Sequence, residues 1–78
     1  MDSTEHLTEA QVEAIKRLHA RYHNDSPVYR DFYHPFDLPK GYVSGWIIAG
    51  YAGVPYTNGD PRAKALYVGV SPDGEVSS

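Results

Sequence analysis

The chain has 78 residues and no cysteine, so it forms a single small domain that neither disulfides nor thiolate metal sites can stabilise. Its ten acidic and seven basic side chains give a formal net charge of −3, and this lacks the basic excess typical of nucleic-acid-binding proteins. No apolar run approaches the ~20 residues that cross a membrane, and the acidic start MDSTEHLTEA is unlike a signal peptide. We therefore expect a cytoplasmic protein that does not bind membranes.

The N-terminal part of the chain predicts one helix, over residues 8–23, after a disordered polar lead at residues 1–6. Thr8 and Gln11 have the spacing of a capping box, in which each side chain binds the backbone amide of the other residue. Apolar residues directly before the cap and four positions after it have the spacing of a hydrophobic staple. These signals together predict that the helix starts at Thr8 or at the next residue.

The predicted helix is amphipathic. Its apolar face consists of residues that recur at helical spacing, namely Val12, Ile15, Leu18, His19 and Tyr22. Glu13 precedes Arg17 by four residues, the order that favours a helical ion pair. Asn24 is predicted to end the helix, because asparagine tolerates the left-handed conformation of a C-terminal cap and a proline follows shortly after it.

The segment Val28–Phe36 (VYRDFYHPF) joins the helix to the second half of the chain. Its aromatic residues recur at helical spacing, so a short helix or a 3₁₀ turn over Pro27–Tyr33 is favoured over coil. Pro35 and Pro39 limit this element on its C-terminal side. Residues 37–41 are then predicted to be an extended link.

Three strands are predicted after this link. The first, residues 42–51, lies in the longest apolar stretch and contains Trp46, the single tryptophan. The second covers residues 64–70 and follows a loop with an Asn-Gly turn. The third covers residues 75–78, after a type I turn with the sequence SPDG at residues 71–74.

These elements predict an α+β fold, in which the N-terminal amphipathic helix packs on a small three-stranded antiparallel sheet within one domain of residues 1–78. Alternation along the first strand gives two apolar faces: Tyr42, Trp46 and Ile48 on one, and Val43, Ile47 and Tyr51 on the other. One helix covers only one face of such a sheet. The second face therefore has to be covered by the aromatic residues of Val28–Phe36 or by another protein chain.

No motif in the chain predicts an enzyme or a cofactor. Ser44 and Ser71 lie outside any nucleophile-elbow motif, and Ser71 is expected to cap the turn that it begins. The glycines match neither a dinucleotide-binding motif nor a phosphate-binding loop. One alternative is a histidine-dependent metal protein, in which His19, His23 and His34 converge on a metal ion, although their spacing is not diagnostic.

The remaining signal is the aromatic content, with seven tyrosines, two phenylalanines and one tryptophan. These residue types are enriched at the centres of protein interfaces, although some of them are needed to build a core in a domain of this size. We therefore predict that the chain acts by protein–protein binding, with a homodimer as one form of such binding. The predicted interface residues are Tyr42, Trp46, Ile48, Tyr51, Tyr67, Phe32 and Tyr33.

A nucleic-acid-binding module is a second alternative, because aromatic residues on a sheet can stack on bases. It would require the fold to bring together basic residues that are dispersed in the sequence: Lys16, Arg17, Arg21, Arg30, Lys40, Arg62 and Lys64. Phosphate binding depends on such a basic surface. We therefore expect a protein partner in preference to a nucleic acid.

Two segments of the chain, Leu38–Val43 with Trp46 and Leu66–Ser78, resemble a known family. They are similar to small uncharacterised proteins encoded by phages of actinobacteria. The resemblance covers about half of the chain and ends in a strand–turn–strand pattern. It implies a phage accessory protein that is made in the host cytoplasm and binds a host protein, and it implies no catalytic residue.

Overall fold

The computed structural model describes residues 3–77, which form one α-helix, two 3₁₀ turns and one three-stranded antiparallel sheet. The helix α1 covers Glu9–Arg21. The strands are β1 (Val43–Ala49), β2 (Lys64–Val70) and β3 (Val76–Ser77), and the sheet order is β1-β2-β3. This confirms the predicted α+β fold. No helix within the described range is long and apolar enough to cross a membrane.

Two predicted segments extend beyond the described residues. The predicted lead at residues 1–6 includes positions 1 and 2, and the predicted strand at residues 75–78 includes position 78, all of which lie outside the described range. Within the lead, His6 packs against the rest of the protein, because its Nε2 atom lies 2.7 Å from the carbonyl oxygen of Phe32.

The capping box at the start of α1 is confirmed. Gln11 N donates to Thr8 Oγ1 at 3.1 Å, and Thr8 N donates to Gln11 Oε1 at 2.9 Å. The side chain of Gln11 is also fully buried, and its Nε2 group donates to the carbonyl oxygens of Gly41 at 2.8 Å and Val70 at 3.2 Å. One glutamine therefore ties the start of α1 to the entry of β1 and the end of β2.

The buried face of α1 is rotated relative to the predicted one. It consists of Gln11, Ala14, Ile15 and Leu18. Val12 and His19 are only half-buried. The reason is that Gln11 faces the sheet. Because Gln11 is polar, a search for apolar periodicity does not include it.

α1 has Tyr22 as its C-cap, and the left-handed residue that follows is His23, with a φ angle of 57°, and not Asn24 as predicted. The backbone N–H groups of His23 and Asn24 donate to Ala20 and His19, the pattern of a Schellman motif. The side chain of Asn24 instead binds the backbone of β1. Ile48 N donates to Asn24 Oδ1 at 2.9 Å, and Asn24 Nδ2 donates to Ile48 O at 2.7 Å.

The segment before β1 contains a 3₁₀ turn at Tyr29–Asp31, within the range predicted for one. Tyr33 then pairs with Ser44 of β1 in an isolated antiparallel bridge. Phe32 points the other way and is buried over Gly45, where a Cβ atom would lie only 2.4 Å from the ring. The prediction of Phe32 as an interface residue is therefore corrected: its ring belongs to the core.

β1 is shorter than the predicted range of 42–51. After its last residue the chain enters a 3₁₀ turn at Tyr51–Gly53, in which Ala52 and Gly53 have φ angles of 59° and 79°. Left-handed backbone of this kind cannot continue a strand. Tyr51 therefore lies beyond the sheet.

β2 is the central strand. It pairs with β1 along its full length, in a register that places Trp46 directly opposite Tyr67, whereas β3 pairs only with the last two residues of β2. The predicted turn between β2 and β3 is present, because Gly74 N donates to Ser71 O at 2.9 Å. Ser71 caps it as expected, since its Oγ atom accepts from Glu75 N at 3.0 Å.

The core lies between α1 and one face of the sheet. Its buried residues are Ala14, Ile15, Leu18, Phe32, Val43, Ile47, Val68 and Val70. Because side chains alternate along a strand, the face of β1 that carries Val43 and Ile47 is the one that α1 covers. The opposite face of β1, which carries Trp46 and Ile48, lies outside this core.

Candidate protein-binding surface

The face of the sheet opposite α1 presents exposed aromatic rings. Strand register and alternation place six residues there, which we call the aromatic face: Tyr33, Ser44, Trp46, Ile48, Ala65 and Tyr67. Trp46 and Tyr67 lie opposite each other on neighbouring strands and are 43% and 68% exposed. Tyr33, at the bridge to Ser44, is 59% exposed. Three large rings therefore share one open surface.

The backbone beneath the aromatic face is held on both sides of Trp46. At one end, Ser44 N and O pair with Tyr33 at 2.8 and 3.0 Å. At the other end, the side-chain amide of Asn24 pairs with both backbone groups of Ile48. These contacts fix the outer edge of β1, so Trp46 is presented from a backbone that its neighbours hold in place.

The aromatic face carries no charged side chain among its six residues. A partner that covers it would not have to strip water from a buried charge, a step that costs several kcal/mol per ion when the charge is left unpaired. The centres of protein interfaces are likewise depleted of charge and enriched in Tyr and Trp. The chemistry of this face therefore suits a contact with another protein surface.

The structure separates the predicted interface residues into groups. Trp46, Ile48, Tyr67 and Tyr33 come together on the aromatic face. Tyr42 is half-buried and directly precedes β1, and its carbonyl oxygen lies 2.9 Å from His34 Nδ1. Tyr51 lies beyond the end of β1, where its ring centroid is 4.7 Å from the guanidinium carbon of Arg62.

Two exposed apolar residues were not among the predicted site residues. Leu38 extends the aromatic face, because its Cδ1 atom lies 3.7 Å from the position of a Cβ atom on Gly69. Phe36, two residues earlier, is fully exposed. Both lie between Pro35 and Pro39, and the signal that could have identified them is a pair of large apolar side chains in a segment that prolines bound.

The three histidines of the metal hypothesis have separate surroundings. His19 Nδ1 lies 3.0 Å from a backbone carbonyl of the preceding helical turn, and His23 follows the C-cap of α1. The ring nitrogens of His34 lie 2.9 Å from Tyr42 O and 2.8 Å from His6 O. Among residues 3–77 no group of three or more His, Asp or Glu side chains could hold a metal ion.

Three of the seven basic residues lie away from the aromatic face. Arg62 lies over Tyr51, beyond the end of β1. Arg17 and Arg21 line a groove between α1 and β2, on the helix side of the sheet. These three residues therefore contribute nothing to a phosphate-binding surface beside the aromatic rings, which the nucleic-acid alternative requires.

Comparison with known proteins assigns no family to the chain. No protein-family model matches it, and neither a curated protein nor a solved structure is significantly similar to it. The similarity to actinobacterial phage proteins therefore stays a prediction.

Proposed function

We propose that the chain acts by binding another protein through the aromatic face. The observation that carries this proposal is the exposed cross-strand pair Trp46–Tyr67 on the aromatic face, whose six residues are all uncharged. Trp and Tyr dominate the residues whose truncation weakens protein complexes most. Each such ring can bury about 150–250 Å² when a partner covers it.

The rigidity of the face supports the same proposal. Binding is weakened by the entropy lost when mobile side chains and loops become ordered. Asn24 and Tyr33 already hold the backbone on both sides of Trp46, and the ring of Tyr67 projects from the central strand. Little backbone ordering is therefore left for the binding step.

The proposed partner is a bacterial host protein. This part of the proposal depends on the resemblance to phage-encoded proteins, which implies an accessory protein at work in the host cytoplasm. A second copy of the chain is the other protein that could cover the face, and the homodimer it would form is an outcome that the experiment below separates.

The test uses the tagged chain as bait in an actinobacterial lysate, beside a Trp46→Ser/Tyr67→Ser variant. Tyr51→Ser is the matched control, because Tyr51 is a similarly exposed tyrosine that lies outside the sheet. We expect wild type and Tyr51→Ser to retain the same host protein, and the double variant to lose it. With the purified partner, the emission of Trp46 should shift to shorter wavelength, and this emission comes from the single tryptophan of the chain.

Three results would count against the proposal. Equal capture by the double variant would show that the contact lies elsewhere. A monomeric wild-type chain that retains no protein would leave the face without a partner. Light scattering that shows a dimer of wild type, but not of the double variant, would replace the host protein by a second copy.

A further inference from the structure

The outer edge of β2 is free along most of its length. Ser44 and Ile48 of β1 direct their backbone groups away from β2, so by alternation it is Gly45 and Ile47 whose backbone groups bond to β2. By the same alternation, the N–H and C=O groups of Ala65 and Tyr67 point away from β1. β3 reaches only the last two residues of β2, and no other strand of the described range pairs with this edge.

A groove of about 340 Å³ runs beside this free edge, between α1 and β2. Its apolar lining consists of Ala14, Leu18, Tyr22, Leu66, Val68 and Val76. The groove opens on the helix side of the sheet, opposite to the aromatic face. It is therefore a second surface, distinct from that of the proposed function.

Two guanidinium groups line the groove without an acidic partner. The sequence predicts an ion pair between Glu13 and Arg17, but Glu13 lies 4.0 Å from Lys16 instead. Within residues 3–77 neither Arg17 nor Arg21 forms an ion pair, and the guanidinium carbon of Arg21 lies 5.6 Å from the ring centroid of Tyr22. The groove thus combines apolar walls with positive charge that no acidic side chain among residues 3–77 pairs with.

We infer that the free edge of β2 binds an extended peptide segment of a partner protein, in which apolar and acidic side chains alternate with small ones. The segment adds to the sheet as a strand beside Ala65 and Tyr67, and its main chain supplies the hydrogen bonds that this edge leaves open. Every second side chain enters the groove. Apolar side chains contact Leu66 and Val68, and an acidic side chain pairs with Arg17 or Arg21.

Charge decides between this peptide and a second copy of the chain. If two β2 edges paired in an antiparallel dimer, both helices would lie on the same side of the joined sheet. Arg17 and Arg21 of one copy would then approach those of the other, and like charges held together in this way oppose association. The acidic peptide meets the same arginines with the opposite sign.

The test measures the fluorescence anisotropy of a labelled, end-capped peptide with the sequence Thr-Leu-Thr-Glu-Thr-Leu-Thr. When the peptide adds antiparallel to β2, its leucines and glutamate face the groove, and its threonines have their amides towards β2. We expect saturable binding that weakens about tenfold or more when the glutamate becomes lysine or when the threonine nitrogens are methylated. Methylation of the leucine and glutamate nitrogens is the matched control, because those amides point away from the sheet.

Protein variants test the same contacts from the other side. Arg17→Glu/Arg21→Glu should reverse the preference, so that the lysine peptide binds more tightly than the glutamate peptide. Tyr67→Pro removes an amide that β1 does not use, together with the ring, and should abolish binding. Tyr67→Ala removes the ring alone and should retain binding. Trp46→Ser should also retain it, and this separates the groove from the aromatic face.

Several outcomes would overturn the inference. One is the absence of saturation at millimolar concentrations of the glutamate peptide. A second is equal affinity for the glutamate and lysine peptides, and a third is indifference to methylation of the threonine nitrogens. Sedimentation that shows a wild-type dimer dispersed by Tyr67→Pro, but not by Tyr67→Ala, would assign the edge to a second copy instead.

Discussion

Replacement of Gln11 by methionine tests the main polar contact between the helix and the sheet. Methionine has a similar length and a similar helix propensity, so the helix itself should be little affected. The variant removes the donor to the carbonyl oxygens of Gly41 and Val70 and the acceptor for Thr8 N. The hydrogen bond to Val70 is buried, so water cannot easily replace the lost donor there.

The magnitude follows from these contacts. A buried polar group left without a partner costs about 1–3 kcal/mol. The Val70 carbonyl should incur most of that cost and the half-buried Gly41 carbonyl a part of it, so we expect Gln11→Met to lower the free energy of unfolding by about 2–4 kcal/mol. A domain of this length has a total free energy of unfolding of about 4–12 kcal/mol. This one side chain therefore accounts for a substantial share of the stability.

The assay is urea unfolding followed by far-ultraviolet circular dichroism and extrapolated linearly to water. Lys16→Met is the control, since it places the same residue at an exposed position of α1 and should change the unfolding free energy by less than about 0.5 kcal/mol. Gln11→Glu should be at least as destabilising as Gln11→Met, because it removes both donors and buries a carboxyl group beside two carbonyl oxygens. If Gln11→Met lowered the free energy of unfolding no more than Lys16→Met does, the buried amide of Gln11 would not hold the helix to the sheet as inferred.

Three further substitutions test individual contacts of the fold. Gly45→Ala should lower the free energy of unfolding by about 1–3 kcal/mol, because the new methyl group meets the ring of Phe32. In urea unfolding, the double variant with Phe32→Leu should lose less stability than the sum of the two single variants, and simple additivity would contradict the clash. Asn24→Ala should speed hydrogen exchange of the Ile48 amide, measured by NMR, and lower the free energy of unfolding by about 1–2 kcal/mol. Unchanged exchange would show that the Asn24 side chain does not protect this edge of β1. His23→Gly should raise the stability by about 0.5–1 kcal/mol, because glycine adopts the positive φ angle of this cap without strain, and a lower melting temperature would refute that reasoning.

Local signals in the sequence determined the fold class. The capping box and the turn at residues 71–74 depend on contacts between residues close together in the chain, and the strand at residues 64–70 follows from residue type and alternation. All three are present in the structure. The separation of β1 into two faces also follows from alternation alone. Together these signals suffice for one helix and an antiparallel sheet.

Tertiary structure decided which of the two apolar faces of β1 is covered. Both faces are apolar, so periodicity gives no preference between them. The choice comes from Phe32, whose ring fits over Gly45 on the helix side, and from Gln11, whose amide joins the ends of two strands. Both contacts link residues at least 13 positions apart, and no local pattern in the sequence encodes such pairs.

Sequence and tertiary structure also contributed different features of the candidate surface. The sequence identified Trp46 and Tyr67 through residue type, because large aromatic rings on a predicted strand suit an interface. It could not establish that these two residues lie opposite each other, since this depends on the register between β1 and β2. The free edge of β2 was also beyond the sequence, because it results from the two-residue length of β3 and from the placement of α1 across the sheet. The sequence by itself thus determined the elements and the rings available for binding, whereas long-range packing decided which surfaces are left open, because exposure depends on what every other part of the chain covers.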